Sequence, residues 1–160
     1  KEAAMSPGHL YHYFPSKDAI IEQMADDYLA SLHSHFSGHP EDEQTATVLL
    51  SELWSMKGWD DLGHCRILFE LLAEAGRNER IRAILKQNTD GVRTLLAEAL
   101  TAGQARGEVD SGLDPKHTSA VLVAVLDAAP MLPLMTADLD FEESRKLVTT
   151  MVGRFLKPQQ

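Results

Sequence analysis

The chain has 160 residues, a formal net charge of −9 and 44% apolar residues, which excludes a disordered chain and indicates one or two small globular domains. Its one cysteine excludes an internal disulfide framework, and we find neither a signal peptide nor an apolar run of the ~20 residues that span a bilayer. A cytoplasmic protein fits these features. Acidity argues against nucleic-acid binding, but residues 1–17 carry a net charge of +1, so the acidity belongs to the rest of the chain.

Two helices are predicted at the start of the chain. Ser6 and Pro7 suit the cap and the first position of a short helix, which reaches about Phe14 and is stopped by Pro15. Ser16 caps a second helix, which ends before Gly38. Its predicted buried residues are Ile20, Met24, Tyr28, Leu32 and Phe36.

The body of the chain continues as helices with an apolar face. The ranges 41–57, 61–75 and 78–106 place apolar residues at helical spacing. Gly76 and Gly107 are natural stops for the second and third of these helices. The second is predicted to pack Leu68, Leu71, Leu72 and Ala75.

The segment 114–135 differs, because from Ala120 onward it is apolar on all sides apart from Asp127. A helix that is apolar all round must be covered all round. We expect it to be too short for a membrane, and it contains two prolines. One face is therefore predicted to meet the chain's own core and the other a partner subunit.

The last predicted helix starts at Asp140, where Glu143 completes a capping box. Its apolar stripe is predicted at Leu147, Val148, Met151, Val152 and Phe155. No strand pattern occurs along the chain, so the predicted fold class is all-α.

The most specific pattern lies in residues 5–20, which read MSPGHLYHYFPSKDAI. A capping serine, a Leu-Tyr pair, a Tyr-Phe pair and a Ser-Lys-acidic turn follow at fixed spacing. This pattern resembles the recognition helix and following turn of the TetR (AcrR-like) family of transcriptional regulators. Residues 69–78 and 103–108 resemble the ligand domains of many members. The resemblance implies the end of a helix-turn-helix DNA-binding domain, followed by a helical ligand-binding and dimerisation bundle.

The same resemblance implies which residues meet DNA. The second helix of a helix-turn-helix enters the major groove by its N-terminal end, where Gly8 would let the backbone approach the bases and His9 could donate a hydrogen bond. Tyr11, His12 and Lys17 would contact phosphates, which position a protein without reading sequence. The predicted DNA-binding residues are Ser6, Pro7, Gly8, His9, Tyr11, His12 and Lys17. The small core beneath them is predicted at Leu10, Tyr13 and Phe14.

A small-molecule effector is implied inside the helical body. Pockets in helical bundles are mostly apolar with a few polar groups. The predicted effector-binding residues are Trp54, Met56, His64, Phe69, Asn88, Val92 and Met131, with Arg93 as a further polar candidate. Trp54 and Phe69, taken singly, are more often core residues than ligand contacts. We predict no cofactor and no metal site. Residues two apart on a helix, such as His33 and His35, do not share a face, and no cysteine accompanies these two or His39 at zinc spacing.

Two alternatives remain open. A helical enzyme would use His64, Cys65 or Glu70, but adjacent helix residues diverge by ~100°, so His64 and Cys65 cannot form a nucleophile–base pair. The other alternative is a helical small-molecule-binding dimer without DNA-binding activity. It is motivated by a recognition helix without Arg, Asn or Gln, the best base readers. Ala4, which stands where the family usually turns on glycine, is a second departure from the family pattern.

These observations predict a ligand-responsive repressor and not an enzyme. Residues 1–30 would complete the DNA-binding domain and residues 31–160 would bind the effector and dimerise; the start at Lys1 leads us to expect missing N-terminal residues. Two copies would pair through 114–135 and 140–157, setting two recognition helices ~34 Å apart on operator DNA. The resemblance implies that an effector shifts the helix 16–36 and releases the DNA.

Overall fold

The computed structural model describes residues 12–38 and 62–158. Over these two ranges the chain forms helices and no strand, which confirms the all-α prediction. The helices are α1 (Lys17–Gly38), α2 (Leu62–Ala75), α3 (Glu79–Ala105), α4 (Pro115–Ala128), α5 (Leu132–Met135) and α6 (Phe141–Leu156), with a 3₁₀ turn at Ala129–Met131. The helix predicted over 41–57 and most of the short helix predicted before Phe14 lie outside the described residues.

Helix α1 begins where the sequence predicts, but its buried face is rotated. The Ala19 N–H donates to Oγ of Ser16 at 3.1 Å, which confirms Ser16 as the cap. Ile21 and Leu32 are buried, whereas Met24 is 48% exposed, so the predicted burial of Met24 is wrong. Two neighbouring stripes of α1 fit a 3.6-residue period, and packing against α3 selects the one that contains Ile21.

A tight turn joins α2 to α3. Asn78 caps α3, because its side chain accepts hydrogen bonds from the N–H groups of Arg80 and Ile81. Arg82 donates back to the Ala75 and Gly76 carbonyls at 2.8 and 3.2 Å, which satisfies the end of α2. The predicted end of α2 and start of α3 are thus confirmed.

The apolar stripe of α2 is only partly covered. Leu68, Leu71 and Ala75 are half-buried, but Leu72 is 52% exposed, so its predicted packing is wrong for the described part of the chain. Among the described elements α2 packs chiefly on α3. Contact on one side cannot cover a stripe of this width.

The connection from α3 to α4 is fixed by hydrogen bonds to backbone carbonyls. Gly107 has a φ of 75°, the left-handed conformation that glycine adopts without strain. Nε2 of Gln104 donates to the carbonyls of Asp110 and Leu113 at 2.9 and 2.7 Å. The Asp110 N–H in turn donates to the Leu156 carbonyl at 2.8 Å, which ties this loop to the end of α6.

Helix α4 starts as predicted, with Asp114 accepting from the His117 N–H and Pro115 in the first turn. The regular helix ends at Ala128, and the 3₁₀ turn that contains Pro130 leads into α5. Together they span the 21 residues Pro115–Met135 at a mean hydropathy of 1.7, which by length and composition alone could cross a membrane. The expectation that this segment is too short is therefore wrong, although a stretch of this kind is weak support for a membrane span.

The main core lies between α3, α4 and α6. Its buried members are Leu96, Leu100, Val109, Leu122, Ala129, Val148, Val152 and Leu156. Helix α6 carries the predicted capping box between Asp140 and Glu143. Its predicted single stripe divides into two faces: Val148 and Val152 are buried, whereas the other three residues of the stripe are exposed.

Apolar side chains therefore remain open to solvent on the last helices. We define the open apolar face as Val121, Leu134, Met135, Leu147, Met151 and Phe155, whose exposed fractions run from 44% to 77%. Helix α6 contacts both the 3₁₀ turn and α5, so most of these residues lie on elements that pack together. Apolar clusters left exposed by a chain's own packing commonly mark interfaces.

Candidate nucleic-acid interface and regulatory site

The start of the described chain presents two of the predicted DNA contacts. His12 lies in the last helical residues before Pro15, and Lys17 is the first residue of α1; both are exposed. The other five predicted contacts, Ser6, Pro7, Gly8, His9 and Tyr11, lie outside the described residues. The turn around Pro15 thus brings one imidazole and one ammonium group to the same end of α1.

The aromatic residues of this turn are placed differently from the prediction. Phe14 is half-buried, but Tyr13 is 64% exposed, so its predicted role in a small core is wrong for the described structure. The ring of Tyr13 meets that of His12 edge to face, with centroids 5.6 Å apart.

Helix α1 is bonded to α3 just behind this end. Nδ2 of Asn88 donates to the Ala25 carbonyl at 2.8 Å. Closer to Lys17, Arg80 lies 3.4 Å from a carboxylate oxygen of Glu22 and 3.9 Å from one of Asp18. Asn88 was predicted as an effector contact, and its bond to α1 is a role that periodicity could not indicate, because Ala25 lies 63 residues away in sequence.

The predicted effector contacts are spread over three elements. Asn88 and Val92 lie one turn apart on α3 and are half-buried, and Val92 packs against the main core. Phe69 on α2 is 37% exposed, and Met131 in the 3₁₀ turn is half-buried. Trp54, Met56 and the side chain of His64 lie outside the described residues. Ligand contact stays a prediction for all seven.

An open groove of about 870 Å³ runs between α3 and the start of α4. Its lining residues are Asp90, Arg93, Thr94, Ala97, Glu98, Thr101, Ala102, Ala105, Asp114, Pro115, Lys116 and Ser119. Nε of Arg93 is buried there without an acceptor among the described residues, and Nη1 lies 3.8 Å from Asp90. A hydrogen bond from Lys86 holds the pKa of the Asp90 carboxyl below its usual range. Arg93 thus faces this groove with part of its hydrogen-bonding capacity unused.

Two carboxylates, Glu70 and Glu74, lie one turn apart on α2. A hydrogen bond from Arg77, 2.8 Å away, lowers the pKa of Glu74, so this carboxyl stays ionised near neutral pH. Glu70 is exposed on the same helix. Among the side chains that the structure describes, no three of His, Cys, Asp or Glu could hold a metal ion together. The side chains of His64 and Cys65 lie outside the described part of the chain.

Comparison with known proteins decides the family. Residues 59–157, more than half of the chain, match the family described as "BetI-type transcriptional repressor, C-terminal", and residues 1–24 match "Bacterial regulatory proteins, tetR family". The chain belongs to the TetR family of bacterial transcriptional regulators. The resemblance read from residues 5–20 is thereby confirmed. The segment Pro115–Met135 falls inside the matched regulatory region, so it does not indicate a membrane protein.

Individual TetR-family relatives agree. The HTH-type transcriptional regulator UidR of Escherichia coli K12 is 26% identical over 123 residues, which are 77% of this chain and 62% of UidR. An uncharacterized HTH-type regulator in the dhlA 5′ region of Xanthobacter autotrophicus is 30% identical over 62% of this chain and 52% of its own length. The chain thus spans less than two thirds of the curated relatives it matches, which are regulators and not enzymes.

Solved TetR-type structures show the same fold. Salmonella enterica GusR superposes with a TM-score of 0.70 at 23% identity, covering 95% of this chain and 79% of GusR. The reduced form of Escherichia coli NemR superposes with a TM-score of 0.73 at 20% identity, covering 98% of this chain and 83% of NemR. A TetR regulator from Haloarcula marismortui superposes with a TM-score of 0.72 at 20% identity, covering 97% of this chain and 81% of that regulator. At these identities the likeness concerns the fold alone.

Proposed function

We propose that this chain is the regulatory part, and the edge of the DNA-binding part, of a repressor that a small-molecule effector releases from its operator. The observation that carries this proposal is helix α1. Its first residue, Lys17, is exposed beside the turn that follows the recognition segment, and its interior is bonded through Ala25 to Asn88 on α3. One rigid element thus joins the DNA-proximal end to the helix on which two predicted effector contacts lie.

DNA contact would use Ser6, Pro7, Gly8, His9, Tyr11, His12 and Lys17, in a domain that ends near residue 30. Exposed cations and hydrogen-bond donors at a helix start are suited to phosphates. The acidic body repels DNA elsewhere, so contact is confined to this end of the molecule.

The effector would sit among the helices of residues 31–160. We assign its contacts to Trp54, Met56, His64, Phe69, Asn88, Val92 and Met131, with Arg93 as a polar candidate. The buried Nε of Arg93 supports this last choice, because a buried donor without an acceptor is unfavourable until one arrives. Asn88 supports a link between effector and DNA, since a ligand that moved this side chain would act directly on α1.

The partner of the open apolar face would be a second copy of the chain, paired through 114–135 and 140–157. Regulators of this family act as dimers, and an isologous contact would cover the face on both copies at once. Such a dimer would hold two recognition helices about one DNA turn, ~34 Å, apart. A cytoplasmic location, where operator DNA lies, belongs to the same proposal.

The test uses the full-length protein. It is titrated by fluorescence anisotropy onto the DNA that flanks its own gene, at two salt concentrations, with an unrelated duplex as control. Tight, salt-sensitive binding that prefers the flanking DNA is expected. Equal binding to both duplexes would instead favour a small-molecule-binding dimer without DNA-binding activity. After specific binding is found, effectors are screened by release of the labelled DNA.

A further inference from the structure

Helices α1 and α3 run side by side in the same direction, and α3 approaches α1 closely along this seam. Asn88 donates to the Ala25 carbonyl, and one turn further along both helices Gly91 faces Leu29. A Cβ added to Gly91 would lie 2.6 Å from Cδ2 of Leu29, so the absence of a side chain permits this approach. The cross-helix bond of Asn88 therefore sits where the two backbones are held close.

The bond from Asn88 is a tie between helices and not part of either helix. The Ala25 carbonyl lies in the interior of α1, where the backbone N–H four residues on is its ordinary partner. The amide of Asn88 therefore adds a second donor to this carbonyl and is not needed to complete α1. Its loss would leave α1 helical but free to slide or tilt on α3.

A second, weaker tie lies closer to the DNA-proximal end. Arg80 stands between Asp18 and Glu22, at 3.9 and 3.4 Å, on the first turns of α1. The side chains of Arg80 and Glu22 are 62% and 52% exposed, so each pair is screened by water and salt. Asp18 follows Lys17 directly in sequence, so this tie acts on the turn that carries the predicted phosphate contact.

We propose that Asn88, assisted by Arg80, is a positioning residue that holds α1 in the register required for DNA binding. The proposal rests on the proposed function above. Only the fraction of molecules with both recognition helices correctly placed binds the operator without reorganisation, and the apparent affinity falls with that fraction. Because a dimer has two such helices, loosening α1 acts on both half-sites.

The decisive variant is Asn88→Leu, which removes the amide donor and keeps the same branched arrangement of side-chain heavy atoms. Its matched control is Thr94→Val on the same helix, because the Thr94 hydroxyl donates to the Asp90 carbonyl within α3. In full-length protein, Asn88→Leu is expected to weaken operator binding about tenfold. This is the change in affinity that corresponds to the loss of one half-buried hydrogen bond in each of the two protomers. Thr94→Val is expected to leave operator affinity within about twofold of native, since it changes no contact between helices.

A distance measurement separates positioning from general loss of stability. Spin labels are placed at the exposed positions His12 and Lys116 in a cysteine-free background, and the distance between them within one protomer is measured by pulsed electron resonance. Asn88→Leu is expected to broaden this distribution while the melting temperature stays near native, and Thr94→Val to do neither. An unchanged distribution, or a broadened one with native operator affinity, would overturn the proposal.

Salt separates the two ties. Arg80→Gln is expected to weaken operator binding two- to threefold more than Lys86→Gln. The control removes the same charge from the same helix, but Lys86 pairs with Asp90 on α3 itself. That excess disappears in high salt, whereas the effect of Asn88→Leu on the distance distribution persists. A salt-independent excess at Arg80 contradicts the electrostatic tie. If the native protein does not bind operator DNA, the proposed function is wrong, and so is the role of Asn88 in DNA binding. The distance between the two spin labels still shows whether Asn88 holds α1 in place.

Discussion

Replacing Leu147 by alanine is expected to weaken self-association of the chain roughly 30-fold without unfolding the protomer. Leu147 is 56% exposed on the open apolar face. Burying a whole leucine side chain is worth about 2 kcal/mol, so the half that is still exposed offers ~1 kcal/mol on dimerisation. An isologous interface uses the residue twice, which gives about 2 kcal/mol per dimer, or roughly 30-fold in the dissociation constant.

The matched control is Leu72→Ala on α2, because Leu72 is 52% exposed but lies off this face. Sedimentation equilibrium over a range of protein concentrations gives the dissociation constant of each variant, and circular dichroism checks that each is folded. If Leu147→Ala leaves the dissociation constant unchanged, or if Leu72→Ala weakens the dimer equally, the open apolar face is not the subunit interface and our reasoning from exposure is wrong.

Three further changes test individual contacts. Lys17→Ala should weaken operator and unrelated DNA alike and reduce the slope of log affinity against log salt by about 2, because each protomer of the dimer loses one phosphate contact; titration at several salt concentrations measures this slope, and an unchanged slope means that Lys17 touches no phosphate. Asp140→Ala should remove the capping box and lower the free energy of unfolding in urea by about 1 kcal/mol, and a midpoint equal to native would contradict the capping role. The pKa of Glu74 is lowered in the folded state by Arg77, so its stabilising effect is present above the unfolded pKa and is lost as the pH falls through the folded pKa. Glu74→Gln should therefore be less stable than native near neutral pH, with the difference vanishing in acid, and a difference independent of pH would refute this assignment.

The sequence by itself determined where four of the described helices start, and it determined the family. Ser16, Asn78, Asp114 and Asp140 each stand at the start of the helix predicted for them, because an N-cap bonds to backbone groups only two or three residues away. Such contacts are complete within one turn and need no distant partner. The pattern in residues 5–20 is equally local, which is why the family could be read from it.

Only the tertiary structure decided how these helices are rotated and what their polar residues touch. A helical period fixes the spacing of an apolar stripe but not which of two adjacent stripes faces the core. For this reason Met24 was predicted to be buried, although Ile21 is the buried residue. For the same reason the exposed Leu147 was not distinguished from the buried Val148. The partner of Asn88 is a carbonyl 63 residues away, a pairing that depends on how α1 packs against α3. Side-chain direction across an interface is set by packing between elements, and no short stretch of sequence contains that information.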